Sequence, residues 1–377
     1  MAFFYCIFAG MIRLFSLSFL ILTLIISGCS VRKARIQTGA PNIESYKSFD
    51  NYHFSNHNTP FCFDQCPNTS LRGEQIFVNK SALNTNAVPL REFLENTPTV
   101  AFAIIRNDSV LYEYYEEEFD ETKIVTSFSV AKSFVSAVLG IAIHEGYIQS
   151  VEEPITRYLP ELSDKRFENI RIRHVLNHVS GIQFPSLAWT YYTHDNNRLL
   201  QKMKYGKGPG KEYVYANCNT LLITLIIEHA TGRKFQDYFH EKIWSKIGTE
   251  YEMLWSMDNK KDQNLKTFCC INGRMRDFAK FGKLYLQRGK WNDEQIIPST
   301  WIDQTLKYDL TDGSTWDNEY FWYLGPKEYG YYYAAGLYGQ YILIYPKKNI
   351  IILRFAKRAL HFNFMWQDQL IQILDQL

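Results

Sequence analysis

Ser129 and Lys132 are the two residues whose types and spacing most directly suggest chemistry. Residues three apart share one face of a helix, so the Lys132 amine can reach the Ser129 hydroxyl and accept its proton. A second Ser-x-x-Lys, at Ser30, lies in a polar stretch. Ser129 instead opens an apolar run that predicts a buried helix of about 17 residues, ended by Glu145-Gly146. The alternative is that Ser129 caps this helix and Lys132 is a surface charge.

A Tyr-x-Asn triplet, Tyr215 to Asn217, precedes a second apolar helix predicted from Leu221 to Ala230. A phenol at that corner can donate a proton to a leaving group. The Asn217 amide can donate to a substrate carbonyl and accept a hydrogen bond from Lys132. The chain has 26 tyrosines, so a purely structural Tyr215 is the alternative.

A third segment of interest is residues 334–340, with the sequence AAGLYGQ. It leads into two β-rich runs, 341–345 and 350–353, which are separated by a turn containing Pro346 and Asn349. Two such runs around a Pro/Asn turn predict an antiparallel hairpin.

With these motifs, the chain resembles the serine β-lactamase and penicillin-binding-protein-like hydrolases. The similarity is to the class C-like branch, which includes esterases and 6-aminohexanoate-dimer hydrolase. It extends from about Pro98 to the C-terminus as short blocks in family order. These blocks are Thr99–Glu113, Thr126–Phe134, Tyr158–Leu162, Ile172–Ile182, Tyr215–Asn217, Arg276–Gly282 and Gly336–Gln340.

The resemblance implies a role for each of four residues. Ser129 is the acylated nucleophile, Lys132 is its base, and Tyr215 carries the proton to the leaving group and later activates water. Asn217 positions this group and the substrate. The implied substrate is a small-molecule ester or amide, and no cofactor or metal is implied.

The third family motif is altered in this chain. Relatives usually have Lys or His, then Thr or Ser, then Gly, whereas residues 334–336 are Ala-Ala-Gly. The resemblance places the oxyanion between the backbone N–H groups of Ser129 and Leu337, or of Gln340 in a gapped register, with Gly336 beside them. Without the motif's cation, we do not expect specificity for β-lactams or D-Ala-D-Ala peptides.

The fold implied by the resemblance is α+β. It comprises an antiparallel sheet, with a hairpin near residues 100–115 and late strands near 340–355, packed against the first and last helices. A helical subdomain spans about 128–290, within a catalytic domain of residues 98–377. The site lies in the crevice between the sheet and this subdomain.

Residues 1–28 resemble a bacterial lipoprotein signal, with an apolar run from Leu14 to Ile26 before Cys29. That run is short for a membrane span. We therefore expect Cys29 to be lipidated and the protein to be exported and anchored to the bilayer of a bacterial envelope, at the outer membrane or periplasmic face in a Gram-negative host. The alternative is an uncleaved anchor helix. Met11 is a second candidate start.

From residue 29 to 97 the composition predicts a tether that continues into a loosely structured segment. Cys62 and Cys66 can form a local disulfide or remain free thiols. Cys269 and Cys270 are adjacent, and we expect this spacing to place them poorly for bonding to each other.

Several function classes are excluded by composition and motifs. A net charge of +2, with both signs interspersed, argues against nucleic-acid binding. The sequence has no phosphate-binding Gly-rich loop, His-Glu-x-x-His or Gly-x-Ser-x-Gly motif. His174 and His178 lack a third zinc ligand in register, and we assign both to the scaffold.

The aromatic residues of 320–323 and 329–333 can line a substrate pocket or fill the sheet. Two function hypotheses remain. The chain is either a membrane-tethered serine hydrolase that works through an acyl-enzyme, or a catalytically silent relative that binds peptidoglycan or a protein partner. The intact Ser129, Lys132 and Tyr215 favour the hydrolase.

Overall fold

The chain forms an α+β fold around an eight-stranded sheet, as the resemblance implies. The structure is a computed structural model that describes residues 40–67, 69–81, 84–309, 318–358 and 366–377. Residues 1–39, with the expected signal and Cys29, lie outside these ranges. Among the described residues, none of the helices is both long enough and apolar enough to cross a bilayer.

The described elements are numbered in chain order. The strands are β1 Asn51–Phe54, β2 Asp64–Gln65, β3 Phe77–Ser81, β4 Asn84–Pro89, β5 Thr99–Arg106, β6 Ser109–Tyr115, β7 Val125–Thr126, β8 Ile182–Gln183, β9 Lys204–Tyr205, β10 Met253–Ser256, β11 Ile271–Gly273, β12 Lys290–Trp291, β13 Glu294–Gln295, β14 Asn318–Glu319, β15 Trp322–Leu324, β16 Tyr332–Gly336, β17 Gln340–Tyr345 and β18 Ile350–Ala356. The α-helices are α1 Thr69–Gln75, α2 Leu90–Glu95, α3 Ala131–His144, α4 Ile172–Leu176, α5 Leu187–Tyr192, α6 Leu199–Lys202, α7 Asn217–Thr231, α8 Phe235–Phe239, α9 Met275–Leu286, α10 Ser299–Thr305 and α11 Gln367–Gln376.

The large sheet has the strand order β14-β15-β16-β17-β18-β5-β6-β2. Both predicted hairpins are present, β5 with β6 and β17 with β18, and β18 pairs with β5 to join them. Alternate residues of β18 enter two different cores: Ile351 and Leu353 face one, whereas Ile350 and Ile352 face the other. Because both faces of the sheet are covered, every residue of β18 is buried, and Arg354 is its one charged residue.

Helices cover the two faces of this sheet. Side chains of α2 and α11 fill the core on one face, and α9 packs on the other, beside β17 and β18. Gly282 of α9 allows this close approach, since a Cβ there would lie 3.0 Å from Ile351. Beyond α9, α3 packs against α7, and a smaller sheet has the order β1-β10-β11-β7. The candidate catalytic residues lie where these layers meet.

Residues 40–97 differ from the expectation of a loosely structured segment. In this range β1 pairs with β10, and β2 runs parallel to β6. The carbonyl of Ile43 accepts a hydrogen bond from Thr126 Oγ1 at 2.8 Å, and that of Pro41 accepts one from Tyr338 Oη at 2.6 Å. Composition did not reveal this packing because backbone groups, which every residue carries, make most of these contacts.

Candidate active site

Ser129 lies in a short 3-10 turn, Phe128–Val130, that leads directly into α3. Twelve of the fourteen residues of α3 are buried, which explains the apolar run in the sequence. Phe128 has a φ of 46°, a left-handed conformation that is uncommon for a non-glycine residue. The neighbouring Ser127 N–H donates to the Ile271 carbonyl at 2.8 Å, which fixes the turn against the small sheet.

The structure brings Ser129, Lys132, Tyr215 and Asn217 together. Lys132 Nζ lies 3.0 Å from Ser129 Oγ, and Tyr215 Oη donates to the same oxygen at 2.9 Å. Asn217, the first residue of α7, presents its Oδ1 to Lys132 Nζ at 3.0 Å. A further acceptor, the carbonyl oxygen of Phe268, lies 2.7 Å from Nζ.

The surroundings of Lys132 favour its neutral form. Its side chain is 3% exposed, and burial holds its pKa well below the usual value, although Cys218 has a small opposing effect. A neutral amine has two N–H groups and one lone pair. The carbonyl oxygens of Asn217 and Phe268 account for the two N–H groups, so the lone pair points to Ser129 Oγ. This geometry suits a base that accepts the serine proton.

Tyr215 has the opposite protonation state. Burial raises the pKa of its phenol above the ordinary range, although the hydrogen bond with Ser129 opposes this shift. The phenol is therefore protonated near neutral pH. Lys132 and Tyr215 thus form a base and an acid on either side of one serine oxygen, a pairing suited to acyl transfer.

The turn between β16 and β17 borders the nucleophile. A Cβ on Gly336 would lie 2.3 Å from the Ser127 carbonyl oxygen and 3.2 Å from the Ser129 nitrogen, so the turn approaches only because this residue is glycine. In the described part of the chain, neither the Ser129 N–H nor the Leu337 N–H has a hydrogen-bond acceptor. The ring of Tyr338 packs edge-on against Phe128, with 5.6 Å between centroids.

The side chain of Gln340, whose backbone N–H is the alternative oxyanion donor, has a structural role. Its side chain is fully buried, its Nε2 donates to the Ala356 carbonyl, and its Oε1 accepts from the Ala356 N–H, each at 2.8 Å. These two bonds use the amide to hold β17 against β18. The side chain is therefore not available to a substrate, and Leu337 is the turn residue that borders the cavity.

A cavity of about 340 Å³ opens over Ser129. It is lined by no charged side chain among the described residues, and Ala334 of the third motif is buried in the core. The lining residues are Pro41, Phe128, Ser129, Ala188, Tyr191, Tyr192, Tyr215, Asn217, Phe268, Cys269 and Leu337. Such a lining suits a neutral, apolar group.

The aromatic cluster of residues 320–323 and 329–333 does not line this cavity. Trp322 and Tyr332 are buried in the core with ring centroids 5.5 Å apart, so sheet filling is their role. The aromatic lining includes instead Tyr191 and Tyr192 of α5, which no motif in the sequence identified.

Cys269 and Cys270 form a disulfide, contrary to the expectation from their adjacency. Cys270 has a φ of 70°, a conformation that the sequence does not reveal and that accompanies the bonded arrangement. Cys62 and Cys66 are free thiols, as is Cys218.

His174 and His178 have structural partners. His174 Nδ1 accepts from the Arg171 N–H at 3.0 Å, and His178 Nδ1 lies 2.7 Å from Asn219 Nδ2. Burial, followed by the nearby Lys132, holds the pKa of His178 well below its usual value. Within the described residues, no group of three His, Cys, Asp or Glu side chains is arranged to hold a metal ion.

The fold and the comparisons define a serine hydrolase with the β-lactamase fold. The chain belongs to the Beta-lactamase family, whose model matches residues 90–364. It is 24% identical over 314 residues to the 6-aminohexanoate-dimer hydrolase of Paenarthrobacter ureafaciens, covering 74% of this chain and 78% of the relative.

Solved structures show the same fold. A Bacillus anthracis structure assigned as a 6-aminohexanoate-dimer hydrolase superposes with a TM-score of 0.77 at 22% identity, covering 91% of this chain and 92% of that one. A family VIII carboxylesterase superposes with a TM-score of 0.58 at 13% identity, covering 74% and 92% of the two chains.

Proposed function

We propose that this hydrolase cleaves neutral esters or amides through an acyl-enzyme on Ser129. The observation that carries the proposal is the placement of Ser129 Oγ between Lys132 Nζ at 3.0 Å and Tyr215 Oη at 2.9 Å. Burial lowers the pKa of the amine and raises that of the phenol, so the base and the acid have the required protonation states together.

In the proposed acylation step, Ser129 Oγ attacks the substrate carbonyl as its proton passes to Lys132. The backbone N–H groups of Ser129 and Leu337 stabilise the oxyanion. As the bond to the leaving group breaks, Tyr215 donates its proton to that group and regains one from the Lys132 ammonium. The net change is one proton moved from serine to leaving group. Deacylation reverses the path, with water as the nucleophile.

The cavity supports the choice of substrate class. Its lining is mainly aromatic and aliphatic, and the described residues supply it with no cation to pair with a substrate carboxylate. The 6-aminohexanoate-dimer hydrolase and the carboxylesterase among the similar proteins are named for hydrolysis of an amino-acid dimer and of a carboxylic ester, respectively. We infer that a neutral acyl chain occupies the cavity and that the bond cleaved is either an ester or an amide.

Labelling with a fluorophosphonate probe tests the nucleophile. The wild type is expected to be labelled, and Ser129→Ala to be unlabelled with an unchanged thermal unfolding curve. Ser133→Ala is the matched control, because this serine lies in α3 and donates to the Phe321 carbonyl. Equal labelling of wild type and Ser129→Ala would refute the proposal. An unlabelled wild type without ester or amide activity would favour the silent relative.

We also propose that the protein is exported and anchored to the cell envelope through a lipid on Cys29. The support is the sequence pattern before this cysteine. Pro41, which lines the cavity, is twelve positions later. Since an extended chain spans at most about 3.6 Å per residue, the cavity would lie within about 45 Å of the anchor.

Incorporation of labelled palmitate tests the anchor. The wild type is expected to take up label and to fractionate with membranes. Cys29→Ser is expected to do neither, whereas Cys62→Ser, at an exposed free thiol, is the control that retains both. Label on the Cys29→Ser protein would contradict the assignment.

A further inference from the structure

The Cys269–Cys270 disulfide lies at the boundary between the cavity and the base. Both residues are buried, at 3% and 2% exposure, and Cys269 contributes to the cavity lining. The preceding residue, Phe268, also lines the cavity, and its carbonyl oxygen is the closest acceptor of Lys132 Nζ, at 2.7 Å. The disulfide is therefore one residue from a group that orients the base.

The peptide groups around the disulfide are fixed on several sides. The Cys269 N–H donates to the Lys266 carbonyl at 2.9 Å, and the Cys269 carbonyl accepts from Trp255 Nε1 at 2.8 Å. The Cys270 carbonyl accepts from the Ser256 N–H at 3.1 Å. Cys270 itself has left-handed backbone geometry, with a φ of 70°. Non-glycine residues keep that geometry where the surrounding structure enforces it.

A disulfide between neighbours closes a small ring through their shared peptide group, which restricts rotation there. The ring and the hydrogen bonds together fix the direction of the Phe268 carbonyl. Two carbonyl oxygens accept hydrogen bonds from Lys132 Nζ. The Asn217 oxygen is on a side chain, whereas the Phe268 oxygen is on the backbone. Turning the Phe268 carbonyl away would leave the amine free to rotate its lone pair from Ser129.

We propose that the Cys269–Cys270 disulfide is a positioning element for Lys132 and that its reduction by a dithiol lowers hydrolase activity reversibly. This inference rests on the proposed function of Ser129. In the reduction, the S–S bond breaks and the dithiol supplies two electrons and two protons. Cys269 and Cys270 become thiols, and the reductant closes to its own disulfide. The reductant reaches Cys269 through the cavity.

Reduction of the disulfide should also change how activity depends on pH. The titratable groups that face Lys132 are Cys218 and Tyr215, with His178 behind the phenol ring at a centroid distance of 4.7 Å. Burial raises the pKa of Cys218 to about 11, and His178 is held neutral, so neither carries charge near pH 7. When the Phe268 carbonyl no longer bonds to Lys132 Nζ, water can reach the amine and favour its charged form, which raises its pKa. The rising limb of the pH profile should then move to higher pH.

The test compares oxidised full-length protein with protein treated with dithiothreitol. Activity toward p-nitrophenyl butyrate is measured first, and the thiols are then alkylated and located by mass spectrometry. We expect kcat/KM to fall about 10- to 100-fold, the range expected for a small misplacement of a catalytic group. The loss should parallel alkylation of Cys269 and Cys270 and reverse on reoxidation. Full activity of the reduced protein, with both thiols then found alkylated, would overturn the proposal.

Serine variants separate this disulfide from the other cysteines. Cys269→Ser and Cys270→Ser are expected to have the activity and pH profile of the reduced wild type. Their activity should not change when dithiothreitol is added. Cys62→Ser and Cys66→Ser, at free thiols, are the controls that retain both activity and sensitivity to reductant. Variants at 269 or 270 that fold and match the oxidised wild type would contradict the proposal.

The wild-type redox comparison does not depend on the folding of any variant. Failure of the proposed function is recognised separately, because the untreated oxidised protein would then be neither labelled by a fluorophosphonate nor active. Failure of the positioning proposal leaves a labelled, active protein that does not respond to reduction.

Discussion

Arg354 donates through Nη1 to the carbonyl oxygen of Gly339 at 2.7 Å. The same nitrogen donates to the Tyr338 carbonyl at 2.9 Å, and Nε donates to Thr99 Oγ1 at 3.0 Å. The guanidinium is 1% exposed and lies 4.0 Å from the ring centroid of Trp366. It therefore fixes, from within the sheet, the turn that carries the Leu337 N–H.

The first prediction concerns this arginine. Arg354→Lys is expected to lower the free energy of unfolding by about 1–3 kcal/mol, because a single ammonium nitrogen cannot reach both the acceptor of Nε and the acceptors of Nη1. It should also slow fluorophosphonate labelling, because the turn loses its support. Urea unfolding and the labelling rate measure the two effects. Arg276→Lys is the control, since Arg276 forms a bidentate pair with Glu113. An unchanged labelling rate in Arg354→Lys would refute the link to the turn.

The second prediction concerns Gly336. Gly336→Ala should reduce kcat about 10²- to 10³-fold, the cost of losing one oxyanion donor, because the new Cβ would meet the Ser127 carbonyl at 2.3 Å. Gly273→Ala is the matched control, since the nearest atom to a Cβ there lies 3.6 Å away. Steady-state kinetics with p-nitrophenyl butyrate give kcat for the two variants and the wild type. Similar rates for the two variants would mean that the turn does not border the oxyanion.

The third prediction is a pH profile. Activity should rise as Lys132 loses its proton, with a midpoint well below the free lysine value of ~10.4, because burial lowers this pKa. No fall is expected below pH ~10, because burial raises the pKa of Tyr215 above the free phenol value. Measurement of kcat/KM from pH 5 to 10 checks both the predicted rise and the predicted absence of a fall. Lys132→Arg, charged throughout, should be inactive at every pH; activity in that variant would exclude Lys132 as the base.

The fourth prediction concerns substrate charge. Two esters with the same leaving group and acyl length, p-nitrophenyl butyrate and p-nitrophenyl hydrogen succinate, differ by one carboxylate. A hydrogen bond to a charged group contributes about 1.5–3 kcal/mol, and the described lining has no cation to form one with that carboxylate. The neutral ester should therefore have the higher kcat/KM, and benzylpenicillin should be a poor substrate. A preference for the succinate ester would reveal a cation outside the described lining.

Helix α3 and the hairpin β17–β18 were predictable from the sequence because periodicity and turn residues are local properties. Ser129, Lys132, Tyr215 and Asn217 were predictable as a group only through the resemblance, since the two pairs are more than 80 residues apart. The Phe268 carbonyl was not predictable, because a backbone oxygen has no signature in the residue type.

Other differences have equally local causes. Gln340 is in the predicted turn motif, but the bonding of its side chain to the backbone of Ala356 depends on how β17 and β18 pair. The disulfide at Cys269 depends on the left-handed backbone of Cys270. Pro41 reaches the cavity through a segment whose composition resembles a linker.

The packing of Phe128 on Tyr338 joins the turn that holds Ser129 to the turn that holds Leu337. A left-handed non-glycine residue costs about 1–2 kcal/mol. Burial of a phenylalanine side chain contributes about 1.5–3 kcal/mol, which offsets that cost as long as the partner ring is present. A change at either position alters the support of the other. As relatives diverge, these two aromatic positions should therefore be substituted as a pair, and a pair transplanted from one relative to another should preserve the turn better than either single exchange.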